Sequence, residues 1–271
     1  MHSLGFYTNV RTVFNRLFIS GYSKKGRRIR ESYVDYKPTL WVTSQDSSEW
    51  TTIHGEPVKS IEFENVREMR DFVKQYSDVS NFEIYGNIAP EYKYISELGE
   101  QTYNPDLIRI ANIDIEVGSE HGFPDPKQAT EEFTAITVHI DGTYYVFGIG
   151  QFTSDREDVV YEYCENETEL LKAFLEFWVN QDVDIITGWN IETFDIPYMV
   201  NRIDRVLGDK YKKMLSPFNV IQDKVLRRMN KELQIFDIIG VSTIDYLDLY
   251  KWFTYTPQES YRLDAIANYE L

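Results

Sequence analysis

The stretch IRIANIDIEVG, residues 108–118, carries two acids inside a run that is otherwise dominated by isoleucine. Its composition predicts a β-strand, in which successive side chains point to opposite faces of the sheet. Ile113 and Ile115 then share one face, and Asp114 and Glu116 share the other, roughly 7 Å apart along the strand. Two carboxylates at that separation repel each other by about 2 kcal/mol at an effective dielectric constant near 20. The pair therefore indicates a site at which a cation balances the charge.

A third acid, Asp195, lies in the stretch ITGWNIETFDIPY, residues 186–198. The pattern predicts a buried strand that ends near Gly188, and then a helix with Asp195 in its first turn, where the helix dipole favours a carboxylate. Mg²⁺ and Mn²⁺ prefer oxygen ligands, and a pair of such ions can activate water and stabilise the leaving oxygen during phosphodiester hydrolysis. Asp114, Glu116 and Asp195 are therefore the predicted metal ligands and catalytic residues of a two-metal site.

Outward from these motifs, the sequence predicts an α/β (α+β) protein with a mixed sheet. Asn104-Pro105 is a boundary signal, so we expect a smaller, β-rich α+β domain at 1–104 and a second domain at 105–271. Hydrophobic periodicity predicts the elements of the first domain. They are a hairpin over 17–36, a strand over 39–43, a helix over 66–79 and extended segments over 82–87 and 91–98. The predicted elements of the second domain are strands over 107–117, 132–140, 143–152 and 159–164, helices over 166–181, 194–208 and 243–253, and a hairpin over 224–238.

Composition limits the classes of function. The chain has 271 residues, a net charge of −16 and one cysteine, Cys164, which excludes an internal disulfide. Residues 1–18 do not resemble a signal peptide, and no apolar run approaches the roughly 20 residues of a membrane span. The acidic balance argues against a protein that coats nucleic acid along its whole surface. Residues 200–231 nevertheless contain nine Lys and Arg residues and only three Asp residues. This excess indicates a local surface that binds nucleic acid or, alternatively, a solvated face.

The two acidic motifs, NIDIEV (112–117) and TGWNIETFDIPYMVNRI (187–203), resemble the first and second exonuclease motifs of family B DNA polymerases. The similarity is greatest to the replicative polymerases of T4-like bacteriophages, and it continues through VSTIDYLDLYKWFTYTPQESYRLDAIA (241–267). This resemblance implies an N-terminal domain followed by a 3′→5′ proofreading exonuclease of ribonuclease H-like fold. It also implies Mg²⁺ or Mn²⁺ as cofactor, held by Asp114, Glu116 and Asp195.

The resemblance carries further expectations about binding. It implies that Phe123 and Asn190 contact the frayed 3′ end of the strand. The basic stretch 224–231, with Arg227 and Arg228, matches a hairpin that helps to keep primer and template apart. The implied partners are single-stranded or primer–template DNA, the remainder of a polymerase and, through other parts of that polymerase, a sliding clamp. The implied location is the cytoplasm of an infected bacterial host.

One departure from the family pattern concerns its third motif, Tyr-x-x-x-Asp, which supplies a further metal ligand. No tyrosine after Asp195 is followed by aspartate four residues later, and Tyr261 and Asp264 are one residue too close. We therefore expect weak or no exonuclease activity from this chain alone, which would be the N-terminal part of a longer or split polymerase. The alternative is a module that binds nucleic acid or docks the polymerase remainder without cleaving. Asp245 and Asp248 are more typical of a helix cap or a solvated face than of metal ligands.

Overall fold

The computed structural model describes residues 4–34, 36–46, 48–120, 122–228 and 231–271. Its contacts divide the chain into two compact units, the first ending at Tyr103 and the second beginning at Asn104. Both units combine strands and helices, so the prediction of a mixed α/β protein with a β-rich N-terminal region is confirmed. Among the described residues, no helix combines the length and apolarity that crossing a bilayer requires.

The described residues of the first unit form two antiparallel sheets and two helices. Strands β1 to β3 form one sheet in sequence order, and β4 to β7 form the other in the order β5-β6-β4-β7. The elements are β1 (Leu4–Val13), β2 (Arg16–Ser23), β3 (Arg28–Tyr33), β4 (Thr39–Thr43), β5 (Trp50–Thr51), β6 (Pro57–Glu62), α1 (Val66–Tyr76), β7 (Ile84–Tyr85) and α2 (Pro90–Glu97). The predicted hairpin, strand and first helix are confirmed.

One prediction for this unit was wrong. Residues 91–98 were expected to be extended, because their aromatic and β-branched residues favour strands, but they lie almost entirely within helix α2. Pro90 occupies the start of that helix, where a missing amide proton costs nothing and its fixed φ angle favours helical geometry. The proline therefore starts this helix, and the propensity of the residues that follow it does not decide their structure.

The second unit is built on a six-stranded mixed sheet in the order β11-β10-β9-β8-β12-β15. Strands β8, β9 and β10 are antiparallel neighbours, whereas β12 runs parallel to both β8 and β15. The strands are β8 (Ile110–Val117), β9 (Phe133–Ile140), β10 (Thr143–Gly148), β11 (Val159–Tyr163), β12 (Ile185–Gly188), β13 (Ile221–Arg228), β14 (Lys231–Ile238) and β15 (Ser242–Asp245). The helices are α3 (Glu167–Gln181), α4 (Asp195–Leu207), α5 (Asp209–Lys212), α6 (Tyr246–Phe253) and α7 (Leu263–Glu270).

Local signals set the ends of the two main helices. The side chain of Asn166 accepts a hydrogen bond from the amide of Glu169 and caps the N-terminus of α3. Gly208, with a φ of 94°, ends α4. Buried residues of both helices join Ile113 and Ile115 in one hydrophobic core of the second unit. The opposite face of β8 is therefore left to its polar side chains.

Candidate active site

Strand β8 presents two acids on one face, as its sequence predicts. Ile113 and Ile115 are buried, whereas Asp114 and Glu116 are exposed on the other side of the strand. Across β9, Asp114 pairs with Thr137 and Glu116 pairs with Ala135. The strand therefore uses its apolar face to anchor the core and its acidic face to offer two carboxylates at neighbouring positions.

Asp195 is the first residue of α4, and its side chain is almost fully buried, with 5% of the residue exposed. Burial raises the pKa of its carboxyl group to about 7, and the negative charge of Asp114 is the next largest cause. Hydrogen bonds from the backbone amides of Asp195 itself and of Ile115 act in the opposite direction. Because Ile115 adjoins Asp114 on β8, these interactions show that the Asp195 side chain lies against the acidic part of that strand.

The Asp114 carboxyl group also has a raised pKa, and burial is the cause, although the residue as a whole is exposed. Two neighbouring carboxyl groups that both resist ionisation form a place where a cation would lower the electrostatic free energy. Their oxygen atoms are also the donors that Mg²⁺ and Mn²⁺ prefer, so the chemistry of the donor set fits these ions. Among the described residues, however, no three His, Cys, Asp or Glu side chains already form a metal-binding cluster.

The turn between β12 and α4 brings Asp195 to the sheet. At the end of β12, a Cβ atom on Gly188 would lie 2.5 Å from the carbonyl oxygen of Ile113, so only glycine allows this approach. Asn190 follows with a φ of 63°, in the left-handed region that asparagine tolerates better than most residues. Its side-chain oxygen accepts a hydrogen bond from the Thr193 hydroxyl at 2.8 Å. Asn190 therefore stabilises the turn, and its predicted contact with a nucleotide stays a prediction.

Asp245 organises the same turn. Its carboxylate accepts hydrogen bonds from the amides of Asn190 and Glu192, both at 3.0 Å, and from the amide of Leu247 at 2.9 Å. The last of these caps α6, so the expectation of a helix cap is confirmed. The first two were not expected, because they depend on the parallel pairing of Gly188 with Asp245 between β12 and β15. An aspartate near the start of a predicted helix was the available sequence signal.

Phe123 lies in the loop between β8 and β9, with 88% of the residue exposed. Its ring contacts that of Phe194, with 5.5 Å between the ring centroids. Phe194 immediately precedes Asp195, so the exposed ring is next to the N-terminus of α4. Exposure of a large aromatic ring beside buried carboxyl groups suits stacking against a base.

The predicted hairpin is formed by β13 and β14, with Met229 and Asn230 outside the described residues. Arg227, which is highly exposed, forms an ion pair with Glu232 across the hairpin at 2.9 Å. Arg228 forms an ion pair with Asp248 of α6. Both side chains are thus within reach of solvent but are already paired with carboxylates.

The interpretation of residues 200–231 as a positive patch needs correction, because several of its cations are paired inside the protein. Arg202 is buried and forms two hydrogen bonds of 2.7 Å to the carboxylate of Glu167. It also donates to the carbonyl oxygens of Ala129 and Thr130, and so ties α4 to the loop that carries Phe123. Formal charge along the sequence therefore overestimates the cations available to DNA here.

Comparison with known proteins identifies relatives over almost the whole chain. Residues 58–266 match the family model described as DNA polymerase family B, exonuclease domain. The DNA-directed DNA polymerase of Escherichia phage RB69 is 35% identical, over 98% of this chain and 33% of the relative. That of Enterobacteria phage T4 is 32% identical, over 98% of this chain and 32% of the relative. The DNA polymerase catalytic subunit of human herpesvirus 7 is 27% identical over 72% of the chain.

The chain thus spans about a third of the length of the two phage relatives. The family match covers both acidic motifs and the ribonuclease H-like unit that contains them. The resemblance inferred from those motifs is therefore confirmed. This chain belongs to the family B DNA polymerases and contains their exonuclease domain.

Proposed function

We propose that this chain is the N-terminal and proofreading portion of a phage replicative DNA polymerase, acting in an infected bacterial host. It would remove nucleotides from the 3′ end of single-stranded or mispaired primer DNA. The observation that carries this proposal is the approach of Asp195, at the start of α4, to Asp114 on β8, which leaves two carboxyl groups with raised pKa values side by side.

In this proposal Asp114, Glu116 and Asp195 hold Mg²⁺ or Mn²⁺ in a two-metal site. When bound, such ions supply an activated water molecule and stabilise the leaving oxygen. The contribution of the chain is to fix its carboxylates before the substrate arrives. Asp195 is fixed by burial in the first turn of α4, and Asp114 and Glu116 are fixed by the alternation of β8.

The substrate contacts follow from the surroundings of this site. We infer that the exposed ring of Phe123 stacks on a base near the 3′ end and that Asn190 contacts the terminal nucleotide. Arg227 and Arg228 would contact DNA from the β13–β14 hairpin. Since both arginines are paired with carboxylates, DNA must displace those partners, and each arginine should add less affinity than a free surface cation. The remaining partners would be the rest of the polymerase and, through it, a sliding clamp.

The test is degradation of 5′-labelled single-stranded DNA by the chain in the presence of Mn²⁺, followed over many turnovers of the DNA. We expect slow, metal-dependent shortening from the 3′ end, because no Tyr-x-x-x-Asp motif follows Asp195 in this sequence. Asp114→Ala should abolish it, whereas the matched substitution Asp155→Ala, at an exposed acid of the same unit, should leave it unchanged. DNA binding with no shortening at all would favour the non-catalytic module instead.

A further inference from the structure

The first unit contains a cavity of about 550 Å³ beside its four-stranded sheet. All of its lining residues lie between positions 41 and 85, and they combine aromatic with acidic side chains. They include Trp41, Trp50, Glu56, Val58, Glu83 and Tyr85. The cavity belongs to a different unit from the acidic site and shares no lining residue with it.

Two indole rings form walls of this cavity. The centroids of Trp41 and Trp50 are 5.9 Å apart and their planes are inclined at 66°, so the rings do not stack on each other. Tyr85 pairs with Trp41 between β7 and β4, and Val58 pairs with Trp50 between β6 and β5. Trp50 remains 51% exposed. Inclined aromatic rings around an open space are the arrangement that favours a cation near several ring faces.

The acids in this cavity have no cationic partner among the residues that the structure describes. Glu83 accepts a hydrogen bond from the Tyr85 hydroxyl at 3.1 Å, and no ion pair forms at Glu83 or Glu56 in that part of the chain. The pKa of Tyr85 is raised by burial, by the hydrogen bond to Glu83 and by the charges of Glu83 and Glu56. Two carboxylates therefore line this cavity without forming an ion pair among the described residues.

Trp41 already binds one cation within the chain. The ammonium nitrogen of Lys93 lies 4.2 Å from the centroid of the Trp41 ring, and Lys93 does not line the cavity. The ring is thus in use as a cation platform, and the two glutamates add the opposite charge. A phosphate-bearing ligand would meet repulsion from Glu56 and Glu83 and from a chain of net charge −16.

We propose that this cavity binds a cationic side chain, Arg or Lys, presented by a basic segment of a partner protein. The aromatic rings would contact the cation and its apolar stem, and the two glutamates would neutralise its charge. Contacts of a cation with an aromatic face are individually weak, so this site would act as a specificity pocket within a larger interface.

The test uses the whole chain labelled with ¹⁵N, because five tryptophans give a readily resolved set of indole signals. The probes are N-acetylarginine methylamide and its uncharged isostere, N-acetylcitrulline methylamide, titrated separately at pH 8 and low salt. We expect saturable shifts of the Trp41 and Trp50 indole signals with the arginine probe. The citrulline probe should bind at least about tenfold more weakly, since it lacks the charge.

Combining Glu56→Gln with Glu83→Gln should weaken binding of the arginine probe by about tenfold. Glu62→Gln, at an exposed acid of β6 outside the cavity, serves as the matched control and should leave binding unchanged. Equal binding of the two probes, or shifts confined to other tryptophans, would overturn the proposal. So would tighter binding of dGMP than of the arginine probe at the same indole signals, because that result would identify a nucleotide pocket.

Discussion

Replacing Asp195 by asparagine should stabilise the metal-free protein at alkaline pH. The substitution keeps the size of the side chain and removes a carboxyl group whose ionisation is disfavoured by burial and by the charge of Asp114. The native pKa of about 7, against 3.8 for an exposed aspartate, is a gap of about 3 units. At about 1.4 kcal/mol per unit, ionising Asp195 in the folded state costs at most about 4 kcal/mol.

The sign follows from proton linkage. Because the folded-state pKa is the higher one, the folded protein binds more protons than the unfolded chain between pH 4 and pH 7. The stabilisation from the protonated Asp195 is complete below about pH 4 and is lost as the pH rises through about 7. The Asp195→Asn variant has no carboxyl group to ionise at this position. Its free energy of unfolding, relative to that of the wild type, should therefore increase by about 2–3 kcal/mol between pH 5 and pH 8.

Urea unfolding in EDTA at pH 5, 6, 7 and 8 measures this difference, with Asp155→Asn as the control for removal of an exposed acid. Adding Mn²⁺ at pH 8 should then stabilise the wild type more than Asp195→Asn, since the loss of one carboxylate ligand weakens binding of the ion. If the difference in free energy of unfolding between Asp195→Asn and the wild type stays constant from pH 5 to pH 8, Asp195 is not a buried carboxylate that Asp114 repels.

Three further substitutions test neighbouring contacts. Asp245→Asn should speed hydrogen exchange at the amides of Asn190 and Glu192 by about tenfold, because their hydrogen bonds to a charged carboxylate are lost. Unchanged exchange would show that these hydrogen bonds do not stabilise the turn. Phe123→Ala should leave the melting temperature unchanged but weaken binding of single-stranded DNA by about tenfold in a fluorescence anisotropy titration; equal affinity would remove the ring from the DNA path. Arg202→Met should lower the free energy of unfolding by about 3–5 kcal/mol, because it leaves a buried carboxylate uncompensated; a loss below about 1 kcal/mol would contradict the buried ion pair.

The sequence predicted best the features that depend on neighbours along the chain. Alternation in β8 follows from a period of two, and it placed Asp114 and Glu116 on one face. The caps at Asn166 and Gly208 follow from local backbone chemistry, since α3 begins directly after Asn166 and α4 ends directly before Gly208. The Asp195 motif combines the same kinds of local signal, a strand, a tight turn and a helix N-terminus.

Features that depend on distant partners could not be predicted in this way. Arg202 and Arg228 counted as available cations because their partners, Glu167 and Asp248, lie far from them in sequence. Asp245 had the local pattern of a helix cap. Its hydrogen bonds to the turn before α4, however, require the parallel pairing of β12 with β15. Charge and capping patterns identify candidate residues. Ion pairs and hydrogen bonds with residues distant in sequence then decide which of these side chains remain available to bind a ligand.

We propose that Asp114 and Asp195, from distant parts of the chain, converge to hold a divalent cation. Binding of Mn²⁺, measured from the electron paramagnetic resonance signal of the free ion, tests it without any requirement for catalysis. We expect saturable binding by the wild type and by Asp155→Asn, and affinity at least about tenfold weaker in both Asp114→Asn and Asp195→Asn. Undiminished Mn²⁺ binding in those two variants would contradict the claim.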